Sequence, residues 1–232
     1  AEKLKVISIK PQTIIDLGSG TGLLSKKTVE IFPNANLVCV DFAQQSLLKN
    51  SQNLKVCANA YKLPFSSNSV DFIVSNLMMQ WCPDLETLFN ECFRVLKPQG
   101  LFLFTTFGPD TLKELKRSWA VVDNKSHINS FIDMHDIGDQ MLQSGFASPI
   151  MEMENITLTY EKVLDLMHDL KSIGAQNVVN RSKALTGKTK FKKMIAMYEN
   201  YRSDGKLPAT YEVIYGHAWK NEKKLGAIPL EN

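Results

Sequence analysis

The chain has 232 residues, 44% of them hydrophobic and 22% charged, and its formal net charge is +3. These values predict a chain that buries an ordinary core, and the charge is too small to favour nucleic acid as a partner. No apolar run is long enough to cross a membrane, and no signal-peptide pattern begins the chain. The cysteines form no CxxC pair and have no histidine at metal-ligand spacing, which predicts reduced thiols, a cytoplasmic protein and no metal site.

Strand and helix patterns alternate through the first half of the chain. We predict strands at Thr13–Asp16, Asn36–Val40, Leu54–Cys57, Val70–Ser75 and Leu101–Phe107, and helices at Leu23–Phe32, Ala43–Asn50 and Leu85–Val95. We predict a turn formed by Lys97, Pro98, Gln99 and Gly100. This alternation predicts a parallel sheet with helices on both faces, which binds ligands beyond the carboxyl ends of its strands. Since the first strand begins close to residue 1, we expect a native N-terminal segment outside this sequence.

The second half of the chain follows a different pattern. We predict a helix from Thr111 to Val122 that begins with a capping box of Thr111 and Glu114. Further elements are predicted at Asp136–Ser144 (helix), Pro149–Tyr160 (strand), Val163–Ile173 and Lys190–Arg202 (helices) and Thr210–Trp219 (strand). We expect residues 1–232 to form a single domain, with residues 161–206 as a helical lid between the last two strands.

The stretch Thr13–Gly22, TIIDLGSGTG, carries the strongest functional signal. A strand that runs into glycines and then a helix brings backbone N–H groups close to a ligand. No lysine follows Gly22, so the stretch is not a phosphate-binding P-loop. The spacing GxGxG, preceded by Asp16, favours a cationic ligand over a pyrophosphate. Asp41 ends the second strand and can accept both hydroxyls of a ribose, in S-adenosylmethionine (SAM) or in NAD alike.

Four segments resemble, in order, the motifs of class I SAM-dependent methyltransferases: DLGSGTG, ANAYKLPF, VDFIVSNLMMQW and RVLKPQGLFLFTTF. The resemblance implies a Rossmann-like α/β fold with a seven-stranded, mostly parallel sheet in the order 3214576, a helical lid insertion, and SAM as cofactor. Asn59 stands where this family usually has Asp. The expected cofactor-binding residues are Asp16, Gly18, Ser19, Gly20, Gly22, Asp41, Phe42, Asn59, Ala60, Leu63 and Asn76.

The segments SNLMMQWCPD, FGPDTLKELKRSW, FIDMHDIGDQMLQSGF, DLKSIGAQNVVNR, ALTGK and LPATYEVIYGHAW resemble the malonyl-[acyl-carrier-protein] O-methyltransferases of biotin synthesis. The resemblance implies methylation of the free carboxylate of a malonyl thioester. A carboxylate is already nucleophilic, so the site needs a cation for recognition rather than a general base. Arg181 is the expected cation, with Gln80, Trp81 and Tyr211 as further catalytic candidates. Ser130 stands where related proteins usually have an arginine, HINSF against HVNRF.

The stretch from Lys171 to Tyr198 contains basic residues and no Asp or Glu. It is either a solvated face or a docking surface for an acidic acyl carrier protein, formed by Lys188, Lys190, Lys192 and Lys193. Three alternatives to the carboxyl methyltransferase stay open. They are a SAM-binding assembly factor or hydroxylase similar to a respiratory complex I assembly factor, a methyltransferase for another small carboxylate, and an NAD-dependent oxidoreductase.

Overall fold

The computed structural model of the protein describes residues 4, 8–123, 125, 127–172 and 187–221. Its strands are β1 (Thr13–Leu17), β2 (Asn36–Asp41), β3 (Lys55–Cys57), β4 (Val70–Asn76), β5 (Leu96–Phe107), β6 (Phe146–Tyr160) and β7 (Leu207–Lys220). Its helices are α1 (Leu23–Ile31), α2 (Gln44–Lys49), α3 (Leu85–Val95), α4 (Lys113–Ala120), α5 (Met134–Gln143), α6 (Val163–Ser172) and α7 (Lys188–Tyr198). Short 3₁₀ turns lie at Met79–Trp81 and Glu199–Tyr201. The strands form a seven-stranded sheet in the order β3-β2-β1-β4-β5-β7-β6, which confirms the predicted order.

The centre of the sheet is parallel and buried. β1 pairs in parallel with β2 and β4, and further parallel pairs join β2 to β3 and β4 to β5. Ile14 and Ile15 of β1 are fully buried, as expected for a β-branched strand covered on both faces. Because the strands are parallel, the carboxyl ends of β1, β2 and β4 meet at one edge. Asp16, Asp41 and Asn76 therefore lie along the edge at which we expect a ligand.

The predicted turn at Lys97–Gly100 was wrong, because β5 begins at Leu96 and runs through these residues. Leu96 pairs with Val70 and Leu101 pairs with Phe72, so β5 takes five steps where β4 takes two. Gln99 has a φ of 63°, and this left-handed residue lets the strand bulge and rejoin the sheet. The Pro-Gln-Gly sequence thus marks an irregularity inside a strand rather than its boundary.

The capping box at the start of α4 was also wrong. The helix begins after Leu112, which has a φ of 58° and makes no side-chain cap. Thr111 instead exchanges hydrogen bonds with the backbone of Glu212 on β7. The buried carboxylate of Glu114 accepts bonds from the backbone N–H and the hydroxyl of Thr210. Both side chains bind a strand some 100 residues further on, which a local pattern cannot reveal.

The chain divides into two compact units. Unit 1 comprises Ala1–Thr106, Met134–Glu152 and Tyr215–Asn232, and unit 2 comprises Phe107–Asp133 and Met153–Ile214. Unit 1 holds the parallel strands and an aromatic cluster in which the Phe89, Phe102 and Phe146 rings lie 6.0–6.5 Å apart. The predicted helical insertion corresponds in its described part to α6 and α7, which belong to unit 2; its role as a lid stays a prediction. In the described ranges, no helix has the length and apolar character needed to span a bilayer.

Candidate active site

The glycine turn after β1 is fixed by the neighbouring strand. The backbone N–H groups of Gly18 and Ser19 donate to the carbonyl oxygen of Val40, at 2.8 and 3.0 Å. Gly18, Gly20 and Gly22 have φ values of 74°, 53° and 91°, in the left-handed region that favours glycine. A Cβ on Gly18 would lie 2.2 Å from Met78 Cγ, whereas a Cβ on Gly20 would meet no atom within 4 Å. Gly18 is therefore needed for packing, and Gly20 borders open space.

Asp16 is almost completely buried beside this turn, with 1% of its surface exposed. Its Oδ2 accepts a hydrogen bond from the Ser25 hydroxyl of α1, and its Oδ1 has no partner among the described residues. Burial raises the pKa of Asp16 from 3.8 to about 6; the Ser25 bond opposes this shift and the charge of Asp41 adds to it. A buried, half-satisfied carboxylate is costly unless a cation or donor reaches it.

Asp41 holds the glycine turn from the end of β2. Its Oδ2 accepts from the Gly20 N–H at 2.8 Å, and its Oδ1 accepts from the Ala43 N–H at 2.7 Å. Each carboxylate oxygen can accept a second bond, so these contacts leave capacity for two ligand hydroxyls. Phe42, the next residue, is 78% exposed and contributes an apolar ring at the same edge.

The segment after β3 is folded on itself. Asn59 Oδ1 accepts from the Tyr61 N–H at 3.0 Å, so this side-chain oxygen already closes a local turn. The neighbouring Ala60 is partly buried, and Leu63 is 3% exposed with its N–H donated to Glu91. The expected adenine contacts of these residues stay predictions, and Leu63 can form an apolar wall only from within the core.

The turn after β4 contacts the glycine turn through Met78, which packs directly over Gly18. Asn76 Oδ1 accepts from the Thr105 hydroxyl at 2.8 Å. Gln80 donates its amide to the Leu77 carbonyl, while its Oε1 is buried without a partner in the described chain. Trp81 is 38% exposed. The structure thus brings this turn to the glycines, and the role of Gln80 and Trp81 toward a substrate stays a prediction.

Three buried polar atoms of this edge have no hydrogen-bond partner among the residues that the structure describes: Asp16 Oδ1, Ser19 Oγ and Gln80 Oε1. Buried polar atoms are nearly always hydrogen-bonded, so each of these three is available as a bonding partner for a polar ligand. All three belong to residues that the sequence had singled out. Sequence reasoning missed Ser25 and Met78, since the helical serine and the turn methionine carry no local motif.

Unit 2 contains a cavity of about 600 Å³. The rings of Trp119 and His127 form part of its wall and stack at 3.7 Å with an interplanar angle of 9°. His127 Nε2 lies 2.8 Å from Asp123 Oδ1, and Lys190 binds the other oxygen at 2.9 Å. Hydrogen bonds from Lys190 and His127 hold the pKa of Asp123 well below its usual range. Lys190, predicted to dock a partner, is thus tied to this wall.

The remaining predicted residues are distributed as follows. Tyr211 is 9% exposed, packs 5.8 Å from the Phe107 ring, and has its pKa raised mainly by burial. Lys188, Lys192 and Lys193 are exposed on α7. Arg181 lies outside the described residues.

Comparison with known proteins gives a consistent family assignment. A model described as a methyltransferase domain matches residues 15–104. A malonyl-[acyl-carrier protein] O-methyltransferase from Gallionella capsiferriformans is 47% identical over 233 residues, covering 94% of this chain and 80% of the relative. The protein of the same name from Nitrosospira multiformis is 43% identical over 253 residues, covering 99% of this chain and 82% of the relative.

Solved structures show the same fold at low identity. The YcgJ protein from Bacillus subtilis matches with a TM-score of 0.67 and 16% identity, covering 95% of this chain and 97% of its own. Phosphoethanolamine N-methyltransferase 2 from Haemonchus contortus, solved with S-adenosyl-L-methionine, matches with a TM-score of 0.59 and 18% identity, covering 95% and 51%. These likenesses support the Rossmann-like methyltransferase architecture.

Proposed function

Because this chain belongs to the malonyl-[acyl-carrier protein] O-methyltransferase family, we propose that it methylates the free carboxylate of malonyl-acyl carrier protein with SAM as donor. The product would be a methyl ester that enters fatty-acid elongation on the way to biotin. The relatives described above carry the name of the carboxyl methyltransferase, which favours it over an assembly factor, a hydroxylase or an NAD-dependent enzyme.

The observation that carries this proposal is the buried carboxylate of Asp16 beside the glycine turn, one oxygen of which has no partner in the described part of the chain. SAM carries an ammonium and a sulfonium but no phosphate, so its cationic groups suit this carboxylate. The same carboxylate would repel a pyrophosphate. In our proposal Asp16 Oδ1 receives the ammonium, and the two oxygens of Asp41 receive the ribose hydroxyls. Ser19 Oγ and Gln80 Oε1 are further buried atoms that can bond to the polar end of the cofactor.

When bound, SAM would supply an electrophilic methyl group for a carboxylate oxygen of the substrate, with S-adenosylhomocysteine as the second product. The chain then has to position the substrate and exclude water, since the nucleophile is already ionised at neutral pH. Alignment of this kind can supply up to about 7–11 kcal/mol of the barrier. Gln80 and Trp81 are proposed to border the transferred methyl, and Arg181 stays the sequence-based candidate for binding the carboxylate.

We propose that Lys188, Lys192 and Lys193 attract the acidic carrier protein, in support of which all three are exposed on one helix. Lys190 is half exposed but already paired with Asp123, so its contribution to docking is expected to be smaller. The free thiols of Cys39, Cys57, Cys82 and Cys92 fit a reducing compartment such as the cytoplasm.

The direct test is incubation with SAM and malonyl-acyl carrier protein, followed by mass analysis of the carrier. A gain of one methyl group supports the proposal, and transfer only to other carboxylates would redirect the substrate assignment. The docking surface is tested by salt: kcat/KM should fall steeply between low and physiological ionic strength, because surface charges are screened beyond about 8–10 Å. The same rate at both ionic strengths would remove the docking role of the lysines.

A further inference from the structure

A buried polar network lies beside the glycine turn, and all of it belongs to unit 1. Four side chains, each at most 2% exposed, take part: Asp16 of β1, Ser25 of α1, Cys39 of β2 and Asn50, which follows α2. Their polar atoms meet at the Ser25 hydroxyl, and we call these four residues the Ser25 network. Because each partner has a limited set of donors and acceptors, the direction of every bond in the network can be worked out.

The orientation of the Asn50 amide is fixed by the chain that follows it. The backbone N–H of Gln52 can only donate, and Asn50 Oδ1 accepts from it at 3.0 Å. Asn50 Nδ2 is therefore the atom that faces Ser25, and it donates to Ser25 Oγ at 3.4 Å. The backbone carbonyl of Asn50 accepts in turn from the Lys55 ammonium, which holds the residue in place.

Cys39 is a second donor to the same hydroxyl. Its sulfur lies 3.3 Å from Ser25 Oγ, and burial is the main cause that raises the pKa of the thiol. The thiol therefore keeps its proton at neutral pH and can donate it to Ser25. A serine hydroxyl has one proton and two acceptor sites, and Asn50 and Cys39 occupy both acceptor sites. The Ser25 proton is left for Asp16 Oδ2.

The direction of this last bond determines which oxygen of Asp16 is left for a ligand. Oδ2 accepts the Ser25 proton, whereas Oδ1 has no partner among the described residues. A proton taken up by Asp16 goes to the same Oδ1, so a proton and a cationic ligand compete for one atom. Burial raises the pKa of Asp16, the Ser25 bond lowers it, and the charge of Asp41 adds to the rise.

Asn50 also connects the network to the glycine turn. A Cβ added to Gly22 would lie 2.5 Å from Asn50 Oδ1, so the amide packs directly against Gly22. One buried side chain therefore contacts both the turn and the serine that binds Asp16. This arrangement fixes the carboxylate relative to the backbone of the turn.

We propose that Ser25, oriented by Asn50 and Cys39, is a positioning residue that leaves Asp16 Oδ1 ionised and available for the ammonium of SAM. This inference rests on the proposed function and adds to it the residues that orient the anionic partner of the cofactor. A hydrogen bond from a hydroxyl to a carboxylate stabilises the ionised form. Without that bond, Asp16 would keep its proton to a higher pH and bind a cation less well there.

The test compares Ser25→Ala with the matched control Thr28→Val, which removes an equally buried hydroxyl from the same helix. The Thr28 hydroxyl donates to the Leu24 carbonyl at 3.0 Å, outside the Ser25 network. Calorimetry from pH 5.5 to pH 8.5 would measure the affinity for S-adenosylhomocysteine and for its analogue that lacks the amino group. The first ligand reports on the ammonium contact, and the second reports on the rest of the site.

Ser25→Ala should move the midpoint of the pH dependence of S-adenosylhomocysteine binding upward by about one pH unit. Such a shift weakens binding about fivefold at pH 6 and by less than about twofold at pH 8.5. Affinity for the deamino analogue should stay within about twofold throughout, and Thr28→Val should change neither ligand's affinity. Ser25→Cys keeps a weaker donor, so its midpoint should fall between those of the parent and Ser25→Ala.

An unchanged pH profile in Ser25→Ala would overturn the inference. A loss of affinity that is equal at every pH, or equal for both ligands, would also overturn it, because it indicates a structural role alone. If Ser25→Ala fails to fold in a thermal melt, Ser25→Cys is judged by the same profile. These measurements use no acyl substrate, so absence of methyl transfer by the parent to malonyl-acyl carrier protein would refute the proposed function separately.

Discussion

Replacing Asp16 by Asn should change the pH dependence of stability in a direction unusual for an acidic residue. The pKa of Asp16 is raised from 3.8 to about 6 by burial. The folded protein therefore prefers the protonated carboxyl, so this group favours folding at low pH. That advantage is lost as the pH rises through 6, and ionisation then costs about 3 kcal/mol. Asn does not titrate and does not incur this cost.

The assay is denaturant unfolding of both proteins from pH 4.5 to pH 8. The free energy of unfolding of Asp16→Asn, relative to the parent, should rise by about 2 kcal/mol across this range. Asp71→Asn is a control whose pH-dependent range lies below that of the assay. Partial burial raises the Asp71 pKa, but hydrogen bonds from Lys97 and from the Thr13 N–H outweigh it and lower the pKa. The contribution of a lowered pKa is complete above the ordinary value of 3.8, so the stability difference between that variant and the parent should stay flat from pH 4.5 to pH 8.

The same substitution should weaken SAM binding by about 10- to 100-fold at pH 7.5, since it removes a charged acceptor for the ammonium. Affinity of the parent should fall below about pH 6, where Asp16 becomes protonated, and affinity of the variant should not. Calorimetry at several pH values measures both. Equal SAM affinity in the two proteins, together with a stability difference that is flat with pH, would refute the reasoning about Asp16.

Four further substitutions test the packing of the glycine turn and two buried hydrogen-bond networks elsewhere in the fold. Gly18→Ala should lower the free energy of unfolding by about 2–4 kcal/mol and abolish cofactor binding, because its Cβ would meet Met78 and the residue has a positive φ. Gly20→Ala borders open space and should lower it by only about 1 kcal/mol, as measured by denaturant unfolding. Lys220→Met should cost about 2–4 kcal/mol, since it leaves three oxygen acceptors without their ammonium, and an unchanged melting temperature would contradict this. Glu114→Gln leaves one side-chain oxygen to accept from the N–H and the hydroxyl of Thr210 on β7. It should lower the free energy of unfolding by about 1–2 kcal/mol, measured with denaturant.

Local sequence patterns located the elements of unit 1 because each one carries its own signal. Each signal lies within a short stretch of sequence: the β-branched run before Gly18, the apolar periodicity of Leu85–Val95 and the acidic strand end at Asp41. The order of the strands is not a local property. Here it came from the resemblance of four motifs to a known family, and the sheet confirmed it.

The missed features all depend on partners distant in sequence. Ser25 binds Asp16 only because α1 packs against β1, and Thr111 and Glu114 bind β7 instead of capping their own helix. Gln99 adopts a left-handed φ because the ladder with β4 resumes after a bulge. Propensity rules use only residues that are close in sequence, whereas tertiary contacts determine these hydrogen bonds and this backbone conformation.

The division of the chain into two units has a consequence for its biosynthesis. The backbone crosses between them after residues 106, 133, 152 and 214, so neither is a continuous stretch. The final strand supplies Gly216, against which the Phe104 ring packs directly, and Lys220, which binds the carbonyls of Phe93 and Leu96. After the glycine turn has been synthesised, the ribosome must therefore translate about 200 more codons before unit 1 can complete its folding. Nascent chains that stop short of β7 should be targets for chaperones and proteases.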